Sequence, residues 1–177
     1  MAFAHARFFS GVLEKQVGMY AIVPDEGDGP FPVFYLLHGL SDDYTIWHRR
    51  TRIEWYVRGV PLIVVMPDGF RGFYTDNAEG PAYGRYMIED VVRFAERILP
   101  ASRKREGRCI GGLSMGGYGA LRLALSRPDM FVSATSHSGA IFPWARQLPA
   151  RLKVELGRIF GRKPEGTGHD IVALARR

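Results

Sequence analysis

Short apolar runs alternate along the chain with amphipathic segments, and the two kinds of run have different periods. VFYLL at 33–37, PLIVVM at 61–66, RCIGG at 108–112 and FVSAT at 131–135 are nearly uninterrupted. Continuous apolarity without alternation suits strands buried on both faces, as in a parallel sheet covered by helices. Between them, YMIEDVVRFAERIL at 86–99 places Ile88, Val91, Val92, Ala95, Ile98 and Leu99 at helical spacing, and Pro100 stops it. Residues 116–126 predict a second helix, ended by Pro128, and 45–58 a third with a less clean apolar face. Residues 3–23 predict two strands joined by a turn near Glu14 and Lys15, an antiparallel hairpin followed by the turn formers PDEGDGPFP. Strand and helix repeated in this order predict an α/β sheet with right-handed crossovers. There is no internal repeat and no low-complexity segment.

At 177 residues the chain is the size of one domain with one continuous core. Apolar residues at 46% and charged residues at 24% are values of a folded globular chain, which excludes a disordered or fibrous protein. The formal charge of +6 narrows the function less than it suggests, because the densest basic run is only Arg103, Lys104 and Arg105. No basic face with interleaved aromatics and no recognisable module accompanies it, so nucleic acid is not an expected partner. Cys109, the single cysteine, cannot form an internal disulfide, and the first twenty residues lack the long apolar core of a secretory signal. The expected location is cytoplasmic. No apolar run approaches the roughly 18 residues of a membrane span, so no membrane contact is expected.

The chemistry concentrates in CIGGLSMGGYGALRLAL at 109–125. Gly112, Leu113, Ser114, Met115 and Gly116 spell G-x-S-x-G directly after a predicted strand and directly before a predicted helix, the context of a nucleophile elbow. A hydroxyl lifted above the sheet by so sharp a turn needs strained backbone angles, and the residues two before and two after it press on neighbouring backbone with no room for a Cβ. A dinucleotide fingerprint fails, because Arg122 stands where the third glycine would be required. A phosphate loop fails as well, since no lysine occurs between Lys104 and Lys153. A purely structural turn that happens to contain serine stays open as the bland alternative. The oxyanion of a tetrahedral intermediate needs donors, each worth about 3 to 4 kcal/mol of barrier. The expected donors are the backbone N–H of Met115, just after the nucleophile, and that of Leu40, in the loop His38, Gly39, Leu40 and Ser41 after VFYLL. His38 is expected to orient or to be buried, because the base of this architecture follows the serine in the chain.

These residues resemble the esterase D-like branch of the α/β-hydrolases, which includes tributyrin esterase, S-formylglutathione hydrolase, feruloyl and acetyl xylan esterases, and the antigen 85 mycolyltransferases. The resemblance rests on YLLHGLSDDYTIW at 35–47, LIVVMPDGFRGFYTD at 62–76 and GGLSMGGYGALRLAL at 111–125, with SHSGAI at 136–141 and HDIVAL at 169–174. VVMPDG followed by GFYTD looks most like the tributyrin esterase type. The resemblance implies an α/β-hydrolase fold, a mostly parallel sheet with helices on both faces. It also implies hydrolysis of small-molecule, short-chain acyl esters through an acyl-enzyme on Ser114, without metal or cofactor. Trp47 and Tyr74 would line the acyl or alcohol side of the site or pack in the core, and His137 would line the pocket.

The family orders its triad as serine, acid, histidine, and only 63 residues follow Ser114. PARLKVELGRIFGRK reads as helical or cap-like, and EGTGHDIVALARR resembles the stretch before the acid-bearing strand of relatives. Residues 1–177 are therefore read as a single α/β-hydrolase domain that stops before its last strands, with the triad acid and histidine region absent. Among residues present, His169 is the candidate base, although a histidine–aspartate pair at this place begins a helix in relatives and lies away from the nucleophile. His5 and His48 read as surface residues, and Asp129 falls at the far end of the sheet. An incomplete sheet would leave 131–135 as an open edge, through which the chain is expected to form homo-oligomers. The alternatives are S-formylglutathione hydrolase or acyltransferase chemistry of the same family, and a catalytically weak or inactive fragment.

Overall fold

The computed structural model describes every residue except Pro143, Ala145, Arg146 and Arg177. Its centre is a six-stranded sheet in the order β1-β2-β4-β3-β5-β6. β1 (Ala2–Ser10) and β2 (Lys15–Val23) form the predicted antiparallel hairpin, paired from Ala2↔Val23 to Ser10↔Lys15. β2 runs antiparallel to β4 (Ile63–Pro67). From there the sheet is parallel: β4 with β3 (Val33–Leu37), β3 with β5 (Arg108–Leu113), and β5 with β6 (Ser133–His137).

The central strands bury both faces, as their uninterrupted apolar sequences require. In β3 and β4 alternate residues go to opposite sides: Val33, Tyr35, Leu37, Ile63 and Val65 join one apolar cluster, and Leu36, Val64 and Met66 the other. The smaller cluster is covered by Trp47, Ile53 and Val57, from the segment holding α1 (Ile46–Arg50) and α2 (Ile53–Tyr56). The larger is covered by α3 (Tyr83–Arg85), α4 (Arg93–Ile98), α5 (Met115–Ser126), α6 (Ala150–Phe160) and α7 (Ile171–Ala175). Among the described residues no helix is long and apolar enough to cross a membrane.

Three elements differ from the sequence reading. The helix expected over 45–58 is broken, because the Thr51 hydroxyl bonds back to the Trp47 carbonyl and its backbone turns extended (φ −132°, ψ 173°). The helix expected over 86–99 starts at Tyr83 and passes through a π-helical stretch, Tyr86–Val92. It ends at Ile98, where Leu99 is pushed to extended angles by Pro100. The last strand is displaced from 131–135 to Ser133–His137. Phe131 is buried below the ladder and Val132 N–H opens the pairing on Arg108 O, so the paired residues are the polar SATSH.

The chain order fixes where a ligand can sit. β3 connects to β4 on one side, and the next crossover returns past β3 to β5 on its other side. The carboxyl ends of β3 and β5 therefore diverge at a topological switch point, where α/β sheets open a crevice. At the sheet's border, β6 pairs with β5 alone among the described strands, and Leu113, Val132 and Phe142 are exposed. Such an edge predicts self-association. Light scattering at rising concentration should show oligomers, reduced by Ser133→Lys, which places a charge on the edge; a clean monomer at high concentration would refute this.

Candidate active site

Ser114 is the single residue between β5 and α5, and its backbone takes φ 54°, ψ −110°, a conformation that costs a non-glycine residue about 1–2 kcal/mol. Surrounding contacts hold it there. Ser114 N–H donates to the His137 carbonyl at 2.8 Å, and Ser114 O accepts from Tyr118 N–H at 3.0 Å and from Ala140 N–H at 3.1 Å. A serine before a helix ordinarily caps it through its hydroxyl, but here the side chain makes no cap hydrogen bond. Ser114 as a whole is half-buried, at the residue that precedes the unpaired amides of the first turn of α5 and the positive end of its dipole.

The two elbow glycines are required by approach distance. A Cβ on Gly116 would lie 2.4 Å from Leu37 O and 2.7 Å from His38 O, and one on Gly112 would lie 2.6 Å from the Gly116 carbonyl carbon and 2.7 Å from Leu37 O. The start of α5 thus rests directly on the backbone at the end of β3. That contact brings the loop after β3 against the serine: the Cβ position of Gly39 is 3.9 Å from Ser114 Cβ.

The loop is pinned through the carbonyl of Gly39. His38 is fully buried, and its Nε2 accepts from Gly69 N–H at 2.9 Å, so the ring proton sits on Nδ1, which donates to Gly39 O at 2.8 Å. Asp42 N–H donates to the same carbonyl at 3.3 Å. In a trans peptide the C=O and the following N–H point in opposite directions, so two donors on Gly39 O direct Leu40 N–H the other way. Nε2 also stands 3.5 Å from Asp68 Oδ1, a contact and not an ion pair while the ring is neutral.

Tyr74 is a correction to the sequence reading. It does not line an open site; it is completely buried, its hydroxyl donates to His38 O at 3.1 Å, and burial pushes its pKa up, so it remains a donor. Trp47 is half-buried and packs against the smaller cluster with its indole Nε1 buried, the core place of the two that the sequence left open. His137 has an exposed side chain at the end of the edge strand, and its carbonyl, through Ser114 N–H, is what serves the site. His169 is not brought to the serine. Its Nδ1 is hydrogen-bonded to the Thr75 hydroxyl at 3.0 Å, its carbonyl accepts from Tyr118 OH at 2.8 Å, and its ring packs edge-on against Phe160. Asp170 caps α7 through Val172 and Ala173 N–H, as a histidine–aspartate pair at a helix start implies. Arg71, which reaches Ser41 in the loop after β3, has no sequence signal beyond the turn-rich GFRGFYTD at the end of an apolar strand.

Two outcomes follow from these contacts. Gly116→Ala forces a methyl onto the carbonyls of Leu37 and His38 and should cost about 2 kcal/mol or more in urea unfolding. His169 is held below the usual imidazole range first by burial and then by the charge of Arg122, so it is neutral in the folded chain. Its contribution is complete above the unfolded value of about 6.5 and is lost as pH falls from there toward the lower folded value. Wild-type stability should therefore drop as pH falls below about 6.5, and His169→Asn should flatten that drop.

Comparison with known proteins agrees with this geometry. The Esterase family model matches residues 10–164. An acetyl esterase of Caldicellulosiruptor saccharolyticus is 35% identical over 152 residues, covering 80% of this chain and 57% of that protein. Two solved structures from Staphylococcus aureus superpose on 99% of this chain and 72% of theirs at 30% identity: the fluorophosphonate-binding serine hydrolase FphF, with a TM-score of 0.89, and the S-formylglutathione hydrolase FrmB, with 0.85. The chain spans little more than half the length of the acetyl esterase and 38% of that of a Mycobacterium tuberculosis esterase. With 155 of its residues matched to the family and its serine on the strained turn between β5 and α5, the chain belongs to the Esterase family of α/β-hydrolases.

Proposed function

We propose that the chain carries the nucleophilic half of a serine carboxylesterase acting on small, short-chain acyl esters. Ser114 Oγ attacks the ester carbonyl, the carbonyl oxygen becomes an oxyanion received by Leu40 N–H and Met115 N–H, and expulsion of the alcohol leaves an acyl-enzyme that water hydrolyses. The observation that carries this reading is the backbone of Ser114, φ 54° at the switch point of the sheet, with a hydroxyl that caps nothing. Neither Leu40 N–H nor Met115 N–H has a backbone acceptor outside the helix among the described residues, which leaves both for a substrate oxygen.

The proton of Ser114 Oγ needs a base, and His169, the candidate from sequence, is engaged with Thr75, Tyr118 and Phe160. That observation favours a second reading, a chain with the fold and the elbow but weak turnover, since loss of triad members costs about four to six orders of magnitude. Thioester hydrolysis of the S-formylglutathione type is the third reading, favoured by the likeness to FrmB.

One set of measurements separates the three. A fluorophosphonate should label the wild-type chain at Ser114 and leave Ser114→Ala unlabelled, and p-nitrophenyl butyrate should be hydrolysed above buffer by wild type only. Absence of any adduct in the folded wild-type chain supports the weak-turnover reading. Preference for a glutathione thioester over the butyrate ester, compared by kcat/KM, supports the third.

A further inference from the structure

The turn that presents Leu40 is itself strained. Gly39 O accepts from Asp42 N–H, and Ser41, at the third position of this turn, has φ 75°. That is the geometry of a type II turn, whose third position takes glycine at no cost and any other residue at about 1–2 kcal/mol. Serine here needs a reason, and its hydroxyl supplies one: Ser41 Oγ accepts from Arg71 Nη1 at 3.2 Å.

Arg71 is held from the other side by the carboxylate of Glu155, on α6, which takes Nε at 2.5 Å and Nη2 at 2.7 Å. The fork geometry leaves Nη1 directed at Ser41. Both charges respond: the Arg71 pKa is raised first by its hydrogen bonds to Glu155, and the Glu155 carboxyl is lowered by the same contact. The platform beneath is firm. Gly69 N–H is fixed on His38, Phe70 N–H donates to Asp68 Oδ1 at 2.9 Å, and Gly72 N–H closes a turn on Gly69 O at 3.1 Å. Helix α6 is tied to the same region through Ala78 N–H to Ile159 O and Glu79 N–H to Arg158 O.

We propose that Arg71 is a positioning residue for the oxyanion turn, transmitting the placement of α6 through Glu155 and Ser41 Oγ to the Leu40 amide. Arg71 touches no reacting atom in this role. Its contact is separate from that of His38, so the turn is fixed at Gly39 O by one group and at Ser41 Oγ by another. A lysine at 71 has a single ammonium and cannot satisfy the two-point contact with Glu155 and Ser41 together. The inference rests on the reading of Leu40 N–H as an oxyanion donor.

The test compares Arg71→Met, Arg71→Lys, Ser41→Ala and the double variant Arg71→Met/Ser41→Ala. Ser41→Ala keeps a side chain at φ 75° and removes only the hydroxyl, on an exposed residue. The first readout is the second-order rate of Ser114 labelling by a fluorophosphonate. It should fall about tenfold in Arg71→Met and in Ser41→Ala, should not fall further in the double variant, and should not be restored by lysine. The second is hydrogen exchange of the Asp42 amide, which should quicken about tenfold in the same variants. Multiplying effects in the double variant, or unchanged Asp42 exchange in Ser41→Ala, would overturn the proposal. If wild-type Ser114 takes no label, the catalytic reading fails, and the exchange measurement still decides whether Arg71 holds the turn.

Discussion

The contact between the first turn of α5 and the last residues of β3 sets the rest of the site. With no side chain at Gly116, the helix start closes onto the carbonyls of Leu37 and His38, and every other feature depends on that closeness. It forces the chain to reverse within one residue, which is why Ser114 has a positive φ. It places the start of α5 beside the loop after β3, the convergence on which the proposed pair of amide donors depends. The close approach costs conformational freedom in the unfolded chain, where glycine is the most mobile residue. The large cluster packed under α5, with Met115, Tyr118, Ala120 and Leu123 buried, offsets that cost.

The convergence is secured by weak interactions. A neutral hydrogen bond of the kind His38 makes to Gly39 O contributes about 1 kcal/mol to folding, whereas a donor misplaced from an oxyanion costs about 3 to 4 kcal/mol of barrier. Under the role proposed for Leu40 N–H, a small folding energy would govern a larger catalytic one. Burial of His38 and Tyr74 makes the arrangement stiff: each has its partners inside the protein, and neither exchanges them with water.

Much of this was legible in the sequence because it follows from local constraints. Uninterrupted apolar runs placed β3, β4 and β5, the glycines around Ser114 marked the elbow, and the loop HGL after β3 stood in the expected place. What was not legible depended on contacts between distant segments. Tyr74 looks like a site aromatic from its neighbours in sequence, and only the fold shows its hydroxyl under His38, 36 residues away. Trp47 follows the loop after β3 closely but belongs to a helix that packs on the smaller cluster. The strand Ser133–His137 is polar and its apolar neighbours Phe131 and Val132 lie just before the ladder, so hydrophobic pattern placed it two residues early. Arg71 and Glu155 are 84 positions apart, and no periodicity links them.

The hydrogen bond from Ser114 N–H to the carbonyl of His137 makes the edge strand part of the nucleophile's support. Edge strands open first when a sheet breathes, since one of their two flanks has no ladder to break. Fraying of the terminal pair Leu113↔His137 would release the serine from its bent conformation while the core under α5 is still intact. On the proposed reading, the competence of such a site would follow the local persistence of β6, outermost of the described strands, and would disappear by sub-global opening well below the midpoint of cooperative unfolding.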